Sequence, residues 1–382
     1  MIYLDEAATT KPKKEVLNTI YSYMDIWYNP SSLYSPAQKA ANALEEAKKI
    51  VANFLNSESF EIYFTSCGSE SNCWAVQGFV QNRLRKGRVP SVITSVIEHK
   101  SILSCVDGIG VDAHYIKVNP NGSIDLNMLE ETLKYVVSQT NGKDVLVSIQ
   151  YANNEIGTIQ EIGKIASIVH KYNAVFHTDA VQAFGHTPID VQELGIDMLS
   201  ASGHKIGTPK GIGILYKKND VEINPLIYGS QMNGLRGGTE NLPYIMGLSK
   251  AVELCANDIM YKKYIDISEQ RDYMIGKLIN EFDCHINGKY SNRLPNNINV
   301  TFNENVTGEA LIYLLDLCDI CVSAGSACNS HSTVPSHVLK AIGLSDEEAV
   351  RTLRITLPDD ITSEITDKVI HELKKQIQLL TE

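Results

Sequence analysis

Short apolar segments alternate with helical segments through most of the chain, and this alternation limits the fold more than any other sequence feature. Each short segment is apolar on both faces, which is typical of strands in a mostly parallel sheet covered by helices. The predicted strands are 61–66, 91–96, 144–150, 174–178, 196–200 and 212–216, and the predicted helices are 35–55, 70–85, 125–137 and 161–172. The sequence therefore predicts an α/β protein whose site lies at the carboxyl ends of the strands.

A long helical pattern from about residue 242 to residue 282 predicts a bridge to a second domain. Beyond it, segments 297–302 and 351–357 alternate as half-buried strands, and an amphipathic helix over 363–380 closes the chain. A chain of 382 residues is long enough for two domains, at roughly 100–200 residues each. We place a large domain at 13–255 and a smaller α+β domain at 1–12 and 256–382.

Charge and hydropathy patterning exclude several classes of function. The chain has 34 basic and 45 acidic residues, a net charge of −11, and no cluster of lysine or arginine that favours direct nucleic-acid binding. No apolar run approaches the roughly 20 residues of a membrane helix, and the first residues lack the pattern of a secretory leader. We therefore expect a cytoplasmic protein that binds neither nucleic acid nor membrane.

The eight cysteines are scattered along the sequence, as expected for reduced thiols in an intracellular enzyme. Cys318 and Cys321 form a C-x-x-C pair, but Cys321 lies in a strand-like run and no second pair completes a zinc site. We interpret both as packed residues and expect no metal.

Two charged residues mark a possible site at predicted strand ends. Lys205 follows Ser202-Gly203-His204 and precedes a glycine-rich turn, a position that suits an amine forming a Schiff base as well as a solvated surface lysine. Asp179 ends an apolar strand, where a buried carboxylate is costly without a cationic partner. A pyridinium nitrogen would be such a partner, and Gln182 could donate to a phenolic oxygen of the same ring; a helix-capping aspartate is the alternative.

A third element is the turn Thr65-Ser66-Cys67-Gly68-Ser69, which leads from a strand into a helix. Free backbone N–H groups and the helix dipole favour an anion there, and Ser69 adds a hydroxyl. A strand-end aspartate, a turn lysine and an anion site occurring together predict a phosphorylated pyridine cofactor far more specifically than any one of them.

Arg354 lies in a strand where Leu353, Ile355 and Leu357 alternate onto the opposite face. A planar guanidinium in that position can hold a carboxylate through two parallel hydrogen bonds. A surface arginine is the alternative that the pattern leaves open.

The wording and order of these motifs resemble the cysteine desulfurases, within the fold-type-I pyridoxal-phosphate (PLP) enzymes of the class V aminotransferase type. The resemblance runs through nearly the whole chain. It includes Leu4–Thr10, Asn29-Pro30-Ser31-Ser32, Glu98-His99-Lys100, Asn153–Gly157, His177–Gln182, Ser202–Lys205, Gly237–Asn241 and Ser323–Cys328. It implies a large domain built on a mostly parallel seven-stranded sheet, a PLP cofactor and a homodimer.

The resemblance also assigns roles to individual residues. Lys205 would carry the cofactor and move the α-proton of the substrate, and His99 would contact the ring and assist proton transfer. Asp179 and Gln182 would bind the pyridine nitrogen and the phenolic oxygen, and Asn154 and Arg354 would hold the substrate carboxylate. The phosphate would be bound by Gly68, Ser69, Ser202, His204 and, from the neighbouring subunit, Thr239.

Cys328 lies in a segment of serine, alanine and glycine, which can move at low steric cost. A thiolate there could attack substrate sulfur and then present a persulfide elsewhere; a buried structural cysteine is the alternative. The resemblance implies L-cysteine as substrate and a sulfur-acceptor protein as partner, for example an iron–sulfur scaffold or a tRNA-thiolation enzyme.

Some positions depart from the family pattern, among them Tyr34, Cys67, Cys73, Asn233 and Pro358. None of these is assigned to chemistry above. A class V aminotransferase and a selenocysteine lyase are alternative reactions on the same scaffold. The aminotransferase would have no use for Cys328, whereas the lyase would discriminate against cysteine.

Overall fold

The computed structural model describes residues 1–256, 259–324 and 335–381. The first part of the chain contains β1 (Ile2–Tyr3), α1 (Lys14–Met24), α2 (Ser35–Leu55), β2 (Ile62–Thr65), α3 (Gly68–Arg85), β3 (Ser91–Ser95), α4 (Lys100–Ile109), β4 (Asp112–Ile116), α5 (Leu126–Gln139), β5 (Val145–Ser148), α6 (Ile162–Lys171), β6 (Val175–Asp179), β7 (Met198–Ser202), β8 (Gly213–Lys217) and α7 (Leu242–Ala256). The remainder contains α8 (Ile259–Glu281), β9 (Cys284–Ile286), β10 (Asn297–Phe302), α9 (Gly308–Asp316), β11 (Ile320–Cys321), α10 (His337–Ala341), α11 (Asp346–Val350), β12 (Thr352–Thr356) and α12 (Ser363–Thr381).

A seven-stranded sheet in the order β2-β8-β7-β6-β5-β3-β4 forms the centre of the described structure. Strands β4, β3, β5, β6 and β7 are mutually parallel, and β8 runs antiparallel to both β7 and β2. Residues of the inner strands are buried on both faces because helices cover the sheet on each side. The predicted fold class is therefore confirmed. The carboxyl ends of β5, β6 and β7 meet at one edge, which is where the site lies.

The predicted strands are all present, with ends within two residues of the predicted ones. The pattern did not predict β4, an edge strand whose side chains are mostly half-buried or exposed. It also did not predict α4, which begins at Lys100, directly after His99. The predicted helix over 242–282 consists of two helices, α7 and α8.

Two large hydrophobic clusters are separate in the structure. One surrounds the seven-stranded sheet and includes residues from Val16 to Leu294. The other packs α8, α9 and α12 against the antiparallel sheet β12-β10-β9 and includes Leu4 together with residues from Ile267 to Ile377. The domain limits at 13–255 and at 1–12 with 256–382 stay a prediction.

Contacts from both parts of the chain converge near the carboxyl ends of the central strands. Ile97 and Ile156 pack against α10 in a small third cluster. Strand β10 also places Asn297 and Asn299 against the loop that follows β5, where both amides donate to the carbonyl oxygen of Glu155. The small antiparallel sheet is thereby held next to the loop that contains Asn154.

Among the described residues, no helix combines the length and the apolar character that crossing a membrane requires.

Candidate active site

A cavity of about 310 Å³ lies at the carboxyl ends of β5, β6 and β7. It brings together residues that are up to 347 positions apart in sequence, from Ala7 to Arg354. Ten of the predicted site residues line it: Gly68, Ser69, His99, Asn154, Asp179, Gln182, Ser202, His204, Lys205 and Arg354. A larger groove of about 1090 Å³ borders Lys205 from the side of the N-terminal segment, but it contains none of the other nine.

Lys205 ends a short 3-10 turn, Gly203–Lys205, that follows directly on β7. Its side chain is buried, and Nζ donates to the carbonyl oxygens of Ala7 and Ala8 at 2.5 and 2.8 Å. The turn is so tight that a Cβ on Gly203 would lie 2.5 Å from Thr208 Oγ1. The solvated surface lysine considered above is therefore wrong, and the amine is held at the cavity wall.

Asp179 is the last residue of β6 and is 6% exposed. Its Oδ2 accepts from Asn72 Nδ2 at 2.6 Å, and its Oδ1 accepts from the backbone N–H of Val181 at 3.0 Å. Within the described residues this carboxylate makes no ion pair. A carboxylate that is buried without a cation, and faces a cavity, fits a protonated ring nitrogen as its partner.

The predicted anion site lies where α3 begins at Gly68, with Cys67 as its N-cap residue. A Cβ on Gly68 would lie 2.6 Å from Val181 Cγ2 and 3.3 Å from Ser202 Cβ, so glycine is needed for this close approach. The hydroxyl oxygen of Ser202 is buried and has no hydrogen-bond partner in the described part of the chain. A free helix N-terminus beside an unpartnered hydroxyl fits a bound phosphate.

His204 lies in the turn that follows Ser202, and its Nδ1 lies 3.2 Å from Thr9 Oγ1. Burial lowers the pKa of this imidazole to about 4, and the positive charges of Lys205 and Lys210 lower it further. A neutral histidine at this position can bind phosphate as a hydrogen-bond donor. Gln182 is half-buried, and its Nε2 donates to Ala7 O at 3.0 Å, so Ala7 contacts both Gln182 and Lys205.

Arg354 lies on β12 and is 1% exposed, so the surface arginine left open by the sequence pattern is wrong. Its Nη2 donates to Asp5 Oδ1 at 2.6 Å, and its Nη1 donates to the carbonyl oxygen of Asn154 at 3.3 Å. Its Nε has no hydrogen-bond partner among the described residues. A buried guanidinium that lines a cavity and has an unused N–H group can bind a carboxylate.

Several residues that line the cavity were not assigned a role from the sequence: Asn72, Glu98, Ser101, Gln150, Glu155 and His337. The structure identifies Asn72 by its hydrogen bond to Asp179. It identifies His337 by the hydrogen bond between its Nε2 and the carbonyl oxygen of Glu98, at 3.0 Å. Ser336 Oγ donates to Glu155 Oε2 at 2.5 Å. Ser336 and His337, at the start of α10, are therefore hydrogen-bonded to the cavity wall.

Glu98 is fully buried at the cavity. Its Oε1 accepts from Ser95 Oγ at 2.5 Å and from the backbone N–H of Gln150 at 3.0 Å, whereas Oε2 has no partner within the described residues. Burial raises the pKa of Glu98 from its usual 4.5 to about 8, although these hydrogen bonds oppose the shift. The carboxyl group is therefore protonated at neutral pH.

The Glu98→Gln variant is expected to gain stability relative to the wild type as pH rises from about 5 to about 8. In this range the unfolded wild type ionises Glu98 and the folded protein does not, so the wild type loses free energy of unfolding as pH rises. Glutamine cannot ionise, so the difference should reach the order of a few kcal/mol. Thermal unfolding at both pH values measures it, with Glu46→Gln on α2 as an exposed control. A difference that does not change with pH would show that folded Glu98 ionises normally.

Two predicted residues are not part of the cavity as the structure describes it. Thr239 is exposed and does not line the cavity, so its role in phosphate binding from a second subunit stays a prediction. Cys328 lies outside the described residues, and so does most of its loop. The described cysteines, including Cys318 and Cys321, are free thiols, and no group of three or more His, Cys, Asp or Glu in the described residues could hold a metal ion.

Comparison with known proteins assigns this chain to a family. The aminotransferase class V family model matches residues 2–364. The chain is 42% identical over 384 residues to cysteine desulfurase IscS of Methanosarcina thermophila, covering 99% of this chain and 92% of that protein. Among solved structures, the NifS-like protein from Rickettsia africae matches with a TM-score of 0.88 and 35% identity over 99% of both chains.

A further solved structure, SspA in complex with cysteine, matches with a TM-score of 0.81 and 38% identity, over 94% of this chain and 99% of that one. The fold and the cavity thus define a class V aminotransferase-type enzyme, a class that depends on PLP. Within that class, the chain belongs to the cysteine desulfurase family.

Proposed function

We propose that the protein binds PLP at Lys205 and converts L-cysteine to L-alanine, with the sulfur transferred to Cys328 as a persulfide. The observation that carries this proposal is one cavity that is lined by a buried amine, a buried guanidinium and a buried carboxylate that makes no ion pair among the described residues: Lys205, Arg354 and Asp179. SspA, whose structure is of a complex with cysteine, supports the same class of substrate.

The residues of the cavity fit the cofactor at three points. Asp179 would bind the ring nitrogen, Gln182 the phenolic oxygen, and Lys205 the aldehyde carbon. The phosphate would be held by the N-terminus of α3, by Ser69, by the unpartnered hydroxyl of Ser202 and by His204. When bound, PLP acts as an electron sink that stabilises negative charge on the α-carbon of an amino acid.

Arg354 and Asn154 would orient the substrate through its carboxylate, which places the α-carbon near Lys205. Lys205, once released from the cofactor, would remove the α-proton. The Cys328 thiolate would then attack the substrate sulfur, so that the S–S bond forms as the C–S bond breaks. The carbon that loses sulfur keeps the electron pair of that bond and takes up a proton, and the α-carbon would regain the proton that Lys205 had removed, which gives alanine.

The persulfide on Cys328 would pass to a sulfur-acceptor protein. The name IscS among the relatives supports a role in iron–sulfur cluster assembly. We propose a scaffold protein or a tRNA-thiolation enzyme as the acceptor. We further propose a cytoplasmic homodimer in which Thr239 of one subunit completes the phosphate site of the other.

The proposal is tested by incubating the purified holoenzyme with L-cysteine and a thiol reductant, and measuring alanine and sulfide together. Wild type is expected to form both in equal amounts, and Cys328→Ala is expected to lose at least about a hundredfold in sulfide release. Cys321→Ala serves as a control because Cys321 does not line the cavity.

Other outcomes would assign a different reaction to the site. Formation of a keto acid without sulfide would indicate a class V aminotransferase. Strong preference for L-selenocysteine over L-cysteine would indicate a selenocysteine lyase. Undiminished sulfide release by Cys328→Ala would show that the proposed persulfide step is wrong.

A further inference from the structure

Two cysteines meet where α3 packs against α4. Cys73 on α3 and Cys105 on α4 share a hydrogen bond between their thiols. Cys105 Sγ also lies 4.0 Å from the carbonyl oxygen of Cys73, and the Cys73 thiol donates to the carbonyl oxygen of Ser101 at 3.6 Å. Neither cysteine lines the cavity, so the contact between the two sulfur atoms is separate from the proposed reaction.

The pair lies next to residues that hold the cavity together. Asn72 directly precedes Cys73, and its amide donates to Asp179 Oδ2 at 2.6 Å and to Ser101 Oγ at 2.9 Å. Both cysteines are half-buried free thiols. A chemical change at this pair would therefore take place on the two helices that carry Asn72 and Ser101.

The two thiols differ in acidity because one donates to the other. The hydrogen bond from Cys105 lowers the pKa of Cys73 from its usual 9.0 to about 7, although burial opposes this shift. The same hydrogen bond raises the pKa of Cys105, and burial adds to the effect. At neutral pH Cys73 is the residue that becomes a thiolate, and Cys105 keeps the proton that stabilises it. A thiolate that lies beside a second thiol is the usual arrangement of a redox-sensitive pair.

We propose that Cys73 and Cys105 form a redox modification site, in which a hydroperoxide oxidises Cys73 and Cys105 then closes a disulfide between α3 and α4. The inference goes beyond the proposed function, since it involves neither Lys205 nor Cys328.

The reaction has two steps. The Cys73 thiolate attacks one oxygen of the hydroperoxide, the O–O bond breaks, and the leaving oxygen takes up a proton as water or an alcohol. Cys73 is thereby oxidised to a sulfenic acid. The sulfur of Cys105 then attacks the sulfur of Cys73, so that the S–S bond forms as the S–O bond breaks, and the thiol proton leaves with the hydroxyl group as water.

The geometry favours the second step. The sulfur atoms are already in hydrogen-bonding contact and must approach to the disulfide bond length of about 2.05 Å. The disulfide uses up both S–H donors, so the carbonyl oxygen of Ser101 loses its hydrogen bond from Cys73. A dithiol reductant restores both thiols, and the modification is therefore reversible.

The pair is tested on the wild-type holoenzyme, treated with hydrogen peroxide at pH 7 and then with iodoacetamide to block the remaining thiols. Peptide mapping by mass spectrometry is expected to show Cys73 linked to Cys105, and dithiothreitol should remove the link. Cys284 is also half-buried, but burial raises its pKa to about 11, so it should stay reduced and serves as the control. Cys73 and Cys105 that both stay reduced in excess peroxide, or a Cys73 linked to a different cysteine, would overturn the proposal.

Two substitutions of Cys105 separate its two roles. Cys105→Ser keeps a hydroxyl that can donate to Cys73 but cannot close a disulfide, so it should accumulate the Cys73 sulfenic acid, which dimedone traps. Cys105→Ala removes the donor as well, and oxidation of Cys73 at pH 7 should be about fivefold slower because less of it is ionised. Cys284→Ala should leave this rate unchanged.

The variants can also contradict the assignment of roles. Absence of sulfenic acid at Cys73 in Cys105→Ser would show that the peroxide does not attack Cys73. Equal rates in Cys105→Ala and the wild type would show that Cys105 does not activate Cys73. Sulfide release from L-cysteine is a separate measurement, so its failure would overturn the proposed function and leave the test of this pair intact.

Discussion

Lys205→Ala is expected to lower sulfide release from L-cysteine by at least about a thousandfold, because the substitution removes both the covalent attachment of the cofactor and the base for the α-proton. The structure gives this amine a defined place: Nζ is buried and held by the carbonyl oxygens of Ala7 and Ala8. These carbonyls belong to the N-terminal segment, so the amine is oriented by a part of the chain distant in sequence.

Two matched variants separate the chemistry of Lys205 from its charge. Lys205→Arg keeps a positive charge but cannot form a Schiff base, and it should be as inactive as Lys205→Ala. Lys210→Ala removes an exposed lysine from the following turn and should keep activity within about twofold. The absorption of the lysine-bound cofactor, measured alongside sulfide release, should disappear in both Lys205 variants. An unchanged cofactor spectrum in Lys205→Arg would rule out this attachment.

The sequence predicted the part of the site that depends on strand ends. Asp179 and Lys205 each follow an apolar strand, and the carboxyl ends of neighbouring parallel strands must meet at one edge of the sheet. The anion site at Gly68 was predicted for a similar reason, because a strand leads directly into a helix through small residues. In each case the local sequence determines both the element and where it ends.

The sequence could not predict the parts of the site that depend on long-range contacts. Glu98 resembles a solvated charge in sequence, and its buried carboxyl group depends on hydrogen bonds from Ser95 and from the backbone of Gln150, which follows β5. Asn72 lies on a helix of mixed polarity and gains its role only from Asp179, 107 residues away. Edge strand β4 was missed because its partly exposed side chains do not form an apolar run.

Arg354 shows the same limit for a single side chain. Strand alternation placed it opposite Leu353 and Ile355, but the pattern could not decide between solvent and a buried site. Arg354 is held in the buried position by Asp5, 349 residues away, which forms an ion pair with Nη2. The carbonyl oxygen of Asn154 accepts a hydrogen bond from Nη1. The short segment around β1 therefore contributes to the cavity twice, through Asp5 and through the carbonyls that hold Lys205.

Arg354→Lys is expected to raise the KM for L-cysteine by about tenfold to a hundredfold, with a smaller effect on kcat. A lysine keeps the charge but loses the planar fork, so it cannot contact Asp5, the Asn154 carbonyl and a substrate carboxylate at the same time. The charged hydrogen bonds that are lost are worth about 1.5–3 kcal/mol each. Steady-state kinetics with L-cysteine measure the change. Arg351→Lys is the matched control, because Arg351 directly precedes β12 and is less buried than Arg354.

Asp5→Asn distinguishes the ion pair between Asp5 and Arg354 from the contact of Arg354 with the substrate carboxylate. Asparagine keeps an oxygen that can accept from Arg354 Nη2 but removes the charge, so the guanidinium should be held less firmly and KM should rise by a smaller factor than in Arg354→Lys. Thermal unfolding of Asp5→Asn and Arg354→Lys measures how much free energy of unfolding is lost when the charge of one partner is removed or misplaced and the other stays buried. If KM stayed unchanged in a folded Arg354→Lys enzyme, the buried guanidinium would serve only to join the N-terminal segment to β12. The substrate carboxylate would then have to bind to Asn154 and the remaining donors of the cavity.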